Sequence, residues 1–171
     1  MKAVFFDRDN TLTHDEGYCH LVADFKWLEG APEALKRLKD HNIIVFIVTN
    51  QGGIGREFFT QDDMELFHSH LKEQALLAGG EITDIAFCPH HPKAVTPDMR
   101  ACECRKPQAG MFYALADKWD IDLENSVMIG DRQSDVSAGK AAGMASYLSD
   151  PASCLDRLVS HVIATHFSDS H

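Results

Sequence analysis

Short apolar runs rich in β-branched residues alternate with helix-patterned segments along this chain, and three of the runs end in polar clusters. Ala3–Phe6 leads into Asp7-Arg8-Asp9, Ile43–Val48 into Thr49-Asn50-Gln51, and Val127–Ile129 into Gly130-Asp131-Arg132. Strand–helix alternation predicts a doubly wound α/β fold, a mostly parallel sheet with helices on both faces. In such sheets ligands sit outside the carboxyl ends of the strands, so all three clusters fall on one edge.

Between the strands the apolar period shifts to that of helices. Pro32 opens a helix with Ala34, Leu35 and Leu38 on one face, proline being favoured at a first helical position. Thr60 and Asp63 form a capping-box pattern ahead of a helix that carries Met64, Phe67 and Leu71 and stops at Gly79-Gly80. Ile82–Phe87 reads as a third strand, followed by an irregular Pro/His/Cys stretch down to Pro107. Helices are expected at Ala109–Trp119 and Ser134–Ala142, and short strands at Ala145–Leu148 and Val162–Ala164. A frayed tail is expected over 165–171, closing a single domain that spans 1–171.

Charge narrows the functions open to such a fold. The formal net charge is −10, with 26 acidic against 16 basic residues and no Lys/Arg block, which argues against a nucleic-acid partner. An acidic chain that handles phosphate needs locally placed cations or a metal. Apolar runs such as Ile43–Val48 are too short to cross a bilayer, and no membrane partner is expected. Met1-Lys2 leads straight into a strand without a signal-peptide layout, so a cytoplasmic location is expected, with the chain acting as a monomer. The five cysteines are an odd number, which argues against a disulfide framework.

Carboxylates at alternate positions after a strand can divide the work of phosphoryl transfer. Asp7 can attack phosphorus and become an aspartyl phosphate. Asp9 can protonate the leaving oxygen and then deprotonate the attacking water. Asp131 adds a third carboxylate, and hard oxygen ligands around a phosphate suit Mg²⁺. The Thr49 hydroxyl, the N–H groups after it and the Lys106 ammonium can hold the transferring oxygens. Singly, each residue reads as a turn, cap or surface charge; together, in this order and at strand ends, they read as a site.

A second constellation is separate. Cys88-Pro89-His90-His91-Pro92 and Cys102-Glu103-Cys104 offer three thiolates and an imidazole, a set that suits structural Zn²⁺. Lys93–Ala101 between them lacks apolar periodicity, and a metal would supply its order. Spacing does not decide between the two adjacent histidines. His14, His20, His68 and His70 lack cysteine partners and read as ordinary surface or helix residues.

The segments Asp7-Arg8-Asp9-Asn10-Thr11-Leu12, Val48-Thr49-Asn50, Arg105-Lys106-Pro107 and Ile129-Gly130-Asp131 resemble the four motifs of the haloacid dehalogenase-like phosphatases. The resemblance spans about residues 2 to 148. It implies a Rossmann-like sheet, a nucleophilic Asp7, an acid/base Asp9, phosphate-binding Thr49 and Lys106, and Mg²⁺ held by Asp7, Asp131 and the carbonyl of Asp9. Asn10 stands where the family usually has glycine, and asparagine tolerates the left-handed backbone of that turn. The Cys/His segments, with Thr49–Arg56, narrow the likeness to the D-glycero-D-manno-heptose-1,7-bisphosphate 7-phosphatases and the related histidinol-phosphate phosphatases. In that group the first histidine ligates zinc, which implies the ligand set Cys88, His90, Cys102 and Cys104.

No separate cap domain is evident, so the zinc loop and the loop after Tyr18 are expected to shape the pocket. The long Lys93–Ala101 insertion resembles the heptose type, which acts in building heptose for cell-surface glycans such as lipopolysaccharide. A bisphosphate keeps one phosphate, and that group needs an anchor. Asn50, Gln51, Arg56 and Arg105 are the expected substrate contacts, Arg105 foremost, with Arg100 and Arg132 as further candidates. The rival readings are a histidinol-phosphate phosphatase, a receiver-like phosphoacceptor module, and a zinc-held interaction module that has lost catalysis.

Overall fold

A computed structural model describes residues 1–168 of the chain. Five parallel strands form one sheet in the order β3-β2-β1-β4-β5, where β1 is Ala3–Phe6, β2 Ile44–Asn50, β3 Asp84–Cys88, β4 Val127–Gly130 and β5 Ala145–Leu148. The helices are α1 (Ala31–Asp40), α2 (Gln61–Leu77), α3 (Gly110–Trp119), α4 (Gln133–Ala141) and α5 (Leu155–His166). The doubly wound α/β expectation holds.

Alternation along β1 shows why the sheet must be covered twice. Val4 and Phe6 face a core built with Ala34, Leu35 and Leu38 of α1, Leu71 of α2, and Val159 and Val162 of α5. Ala3 and Phe5 face the opposite core, with Phe112 and Leu115 of α3 and Ala138 of α4. A strand buried on both sides reads as a continuous apolar run, as β1 does.

The segment Val162–Ala164 is not a strand. It lies inside α5, whose buried residues Leu155, Val159, Val162 and Ile163 recur at helical spacing. Two adjacent β-branched residues resemble a strand in a short window, but the longer period decides. The same helix runs through His166, into the segment expected as a frayed tail, and residues 169–171 lie outside the described residues. Among the described residues no helix is long and apolar enough to cross a membrane.

Strand order reverses at β1, which pairs with β2 on one side and β4 on the other. Such a switch point opens a crevice at the carboxyl ends of the central strands. Register brings the polar clusters there together: Phe6 pairs with Ile47 and Ile129, so Asp7 follows level with Val48 and Gly130. Asn10 has φ 56°, the left-handed turn expected of it, and its side-chain oxygen accepts from the Asp15 N–H at 3.1 Å.

Candidate active site

A cavity of about 280 Å³ opens at the carboxyl end of the sheet, lined among others by Asp7, Asp9, Asn50, Gln51, Arg105 and Lys106. At its floor Lys106 Nζ donates to Asp7 Oδ1 and to the Val48 carbonyl, both at 2.8 Å, and pairs with Asp135 at 2.6 Å. Burial works against the lysine charge, but Asp7 and Asp135 outweigh it and raise its pKa. Burial also raises Asp7, against the pull of Lys106. Asn50 holds the lysine from behind: Lys106 N–H donates to Asn50 Oδ1 at 3.0 Å, and Asn50 Nδ2 donates to the Lys106 carbonyl at 3.2 Å.

Asp7, Asp131 and Asp135 each present an oxygen, all within 4.8 Å of one another. Lys106 pairs with two of them, Asp7 and Asp135, so the carboxylates outnumber the ammonium beside them, and a divalent cation would offset the remainder. Thr11 Oγ1 donates to Asp131 Oδ1 at 3.3 Å and helps aim it. The donor set fits a hard cation such as Mg²⁺.

Asp9 sits beside Asp7 with both oxygens engaged. Arg8 holds Oδ1 and Gln51 Nε2 donates to Oδ2 at 3.2 Å. Burial pushes the Asp9 pKa up to about 6, against the pull of Arg8. Gln51 Nε2 also donates to Thr49 Oγ1 at 2.8 Å, and Thr49 is fully buried.

The thiolate and imidazole cluster lies next to this floor. Cys88 Sγ is 3.4 Å from His90 Nδ1 and 3.5 Å from Cys102 Sγ, while His90 Nδ1 is 3.3 Å from Cys104 Sγ. Zn–S bonds of about 2.3 Å would set ligand atoms roughly 3.7 Å apart at tetrahedral corners. The Cys88–Cys104 edge is tighter, at 2.7 Å. The four donors lie within 4.8 Å of one another and could hold zinc. The Arg105 N–H donates to Cys102 Sγ at 3.3 Å, and the Arg105 guanidinium donates to the His90 carbonyl at 3.1 Å. His91 faces the other way, into the cavity.

Comparison with known proteins agrees with this geometry. A family model described as "HAD-hyrolase-like" matches residues 103–150. The D-glycero-beta-D-manno-heptose-1,7-bisphosphate 7-phosphatase of Rhodopseudomonas palustris is 38% identical over 143 residues, covering 83% of this chain and 79% of the relative. The chain belongs to the haloacid dehalogenase-like phosphatases. The D-glycero-alpha-D-manno-heptose-1,7-bisphosphate 7-phosphatase of Photorhabdus laumondii is 33% identical over 145 residues, covering 84% of this chain and 79% of the relative. The crystal structure of the D,D-heptose 1.7-bisphosphate phosphatase of B. bronchiseptica, complexed with magnesium and phosphate, has a TM-score of 0.84 at 25% identity. The match covers 96% of this chain and 99% of that one.

Within this haloacid dehalogenase-like phosphatase, two of the expected arginine contacts stand apart and one residue goes unseen in the sequence. Arg56 does not line the cavity; its Nη1 donates to the Tyr18 hydroxyl at 2.8 Å and the guanidinium lies 4.5 Å from the Phe58 ring centroid. Arg100 donates to the Ala94 and Val95 carbonyls inside the zinc loop, whereas Arg132 does line the cavity. Asp135 was not expected. It is 1% exposed in the first turn of α4, where its other oxygen accepts from the Arg132 N–H at 3.0 Å. In the sequence it reads as a capping residue, and its only signal is a place one helical turn beyond Asp131. Gly130 makes room for it, since a Cβ there would overlap the Asp135 side chain.

Proposed function

We propose that this phosphatase removes the 7-phosphate of D-glycero-D-manno-heptose 1,7-bisphosphate through an aspartyl phosphate on Asp7. The observation that carries the reading is the meeting of Asp7, Asp131, Asp135 and Lys106 at the strand switch point, with Asp9 alongside. The likeness to relatives named for this activity supports the choice of substrate.

In the first step an Asp7 oxygen attacks phosphorus, the bond from phosphorus to the sugar oxygen breaks, and Asp9 gives its proton to that oxygen. In the second, Asp9 takes a proton from water, the water oxygen bonds to phosphorus, and the bond to Asp7 breaks. Lys106 and the Thr49 hydroxyl steady the transferring oxygens. Asp7, Asp131 and the Asp9 carbonyl, with Asp135 close by, would hold Mg²⁺, which would supply charge neutralisation between nucleophile and phosphate. Arg105 and Arg132 anchor the phosphate that stays. Cys88, His90, Cys102 and Cys104 would hold zinc, which would order the loop that delivers Arg105 and Lys106.

The test is kcat/KM for phosphate release with Mg²⁺ across both heptose bisphosphate anomers and histidinol phosphate. A heptose bisphosphate should be preferred. Preference for histidinol phosphate would overturn the substrate assignment and leave the phosphatase intact.

A further inference from the structure

Beneath Asp9 lies a cation that does not line the cavity. Arg8 is only 1% exposed and is the largest fully buried side chain. A guanidinium has five N–H donors and no acceptor, so burying one demands several acceptors around it. They come from three separate parts of the chain. Nε and Nη2 reach Asp9 Oδ1 at 2.9 and 2.8 Å. Nη2 also donates to the Cys19 carbonyl at 2.7 Å. Nη1 donates to Nε2 of His68 at 3.1 Å, and the Phe67 ring centroid lies 4.5 Å from the guanidinium carbon.

These contacts leave Asp9 little freedom. Oδ1 is held by the guanidinium, so Oδ2, which receives the Gln51 amide, is the oxygen left for substrate. The loop before Cys19 is tied into the same arrangement: the Cys19 N–H donates to Asp15 Oδ1 at 2.9 Å, and that loop supplies Asp15, Gly17 and Tyr18 to the cavity wall. On the α2 side the partner is an imidazole. A carboxylate there would draw the guanidinium away from Asp9, whereas neutral His68 accepts one hydrogen bond without competing charge. Because Arg8 only donates, Nε2 must accept, which places the His68 proton on Nδ1.

We propose that His68 and Arg8 are positioning residues for catalysis: His68 fastens Arg8, and Arg8 aims the Asp9 carboxylate and secures the Cys19 end of the pocket loop. The proposal rests on the acid/base role assigned to Asp9 above.

The test uses the full chain with Mg²⁺ and two probes. Heptose bisphosphate has an alkoxide leaving group that needs a proton; p-nitrophenyl phosphate has one that leaves without it. His68→Leu should lower kcat on the sugar about tenfold or more, with KM within about twofold. On the aryl phosphate it should give a burst of about one equivalent of nitrophenol and then slow turnover, because only the water-activating step is impaired. His68→Gln, whose amide oxygen can accept from Arg8, should recover most of the loss. Wild-type kcat in His68→Leu, or an equal loss on both probes with no burst, overturns the proposal. Asp9→Asn is the control. If it lacks the leaving-group signature, the acid/base assignment itself fails; if it shows the signature and folded His68→Leu does not, only the positioning role fails. Should His68→Leu not fold, Arg8→Lys keeps the cation and loses the fork, and a wild-type profile there is equally fatal.

Discussion

Lys106 Nζ donates to Asp7 Oδ1 at 2.8 Å across a sequence separation of 99 residues. The lysine is 4% exposed and the aspartate 7%, so neither charge can be satisfied by bulk water. The pair therefore aims the proposed nucleophile while tying the zinc-loop segment to the end of β1. Removing one member leaves the other stranded in a dry site, which is why substitutions here act on more than one property.

Asp7→Asn keeps the shape of the side chain and removes the proposed nucleophile. The variant should fold and lose phosphate release by about four orders of magnitude or more, as removal of a covalent nucleophile does. Substantial turnover by a folded Asp7→Asn protein would refute the aspartyl-phosphate route.

The two metals should separate by lability. Brief EDTA treatment should abolish activity, and added Mg²⁺ should restore it, because an oxygen-ligand site exchanges readily. Zinc should persist at about one equivalent per chain through the same treatment, as expected of a closed thiolate site. Elemental analysis of protein purified without chelator checks this, and an absence of zinc would remove the Cys88/His90/Cys102/Cys104 assignment.

The zinc loop should be felt in kcat and the arginine in KM. The Arg105 N–H donates to Cys102 Sγ, one residue before Lys106, so Cys104→Ser should loosen Lys106 and lower kcat about tenfold while Mg²⁺ still binds. Arg105→Ala removes the proposed substrate anchor and should raise KM for the bisphosphate about tenfold, with a smaller change in kcat. Wild-type kinetics in a zinc-free Cys104→Ser protein would show the loop to be a fold staple only.

His68 predicts how stability responds to acid. Burial first, then Arg8 and Lys72, push its pKa from 6.5 down to about 3. The folded chain thus keeps the imidazole neutral where the unfolded chain takes up a proton. The stability tied to this neutrality is complete above about pH 6.5 and is lost as pH falls from there toward about 3. Urea unfolding at pH 7, 5.5 and 4.5 should show a shallower acid loss in His68→Gln than in the parent chain. Identical slopes would show that His68 is accessible to protons in the folded state.

Much of this enzyme is legible in its sequence. Strand ends single out Asp7 and Asp131, because a parallel strand buried on both faces must be an apolar run and its first polar residue marks the rim; Thr49 instead lies inside β2 and is fully buried. Thr60 and Asp63 do form the capping box, each side chain bonded to the other's N–H. The Cys/His cluster stands out by chemistry, since cysteines grouped with imidazole in a chain without disulfides suit a metal, and the structure brings the four side chains within 4.8 Å of one another. Val162–Ala164 reads as a strand yet lies in α5, because a three-residue window cannot tell a buried helix face from a strand.

What the sequence determined by itself were the groups whose meaning is local: period, caps, strand ends and ligand types. Tertiary structure decided the partners. Asp135 became a partner of Lys106, Arg8 a buried cation shared by Asp9, Cys19 and His68, and Arg56 a prop for Tyr18 rather than a wall of the cavity. Charges have no periodicity to betray them. Their roles depend on which opposite charge or acceptor the packed sheet and helices bring within about 3 Å, where burial makes that one contact decisive.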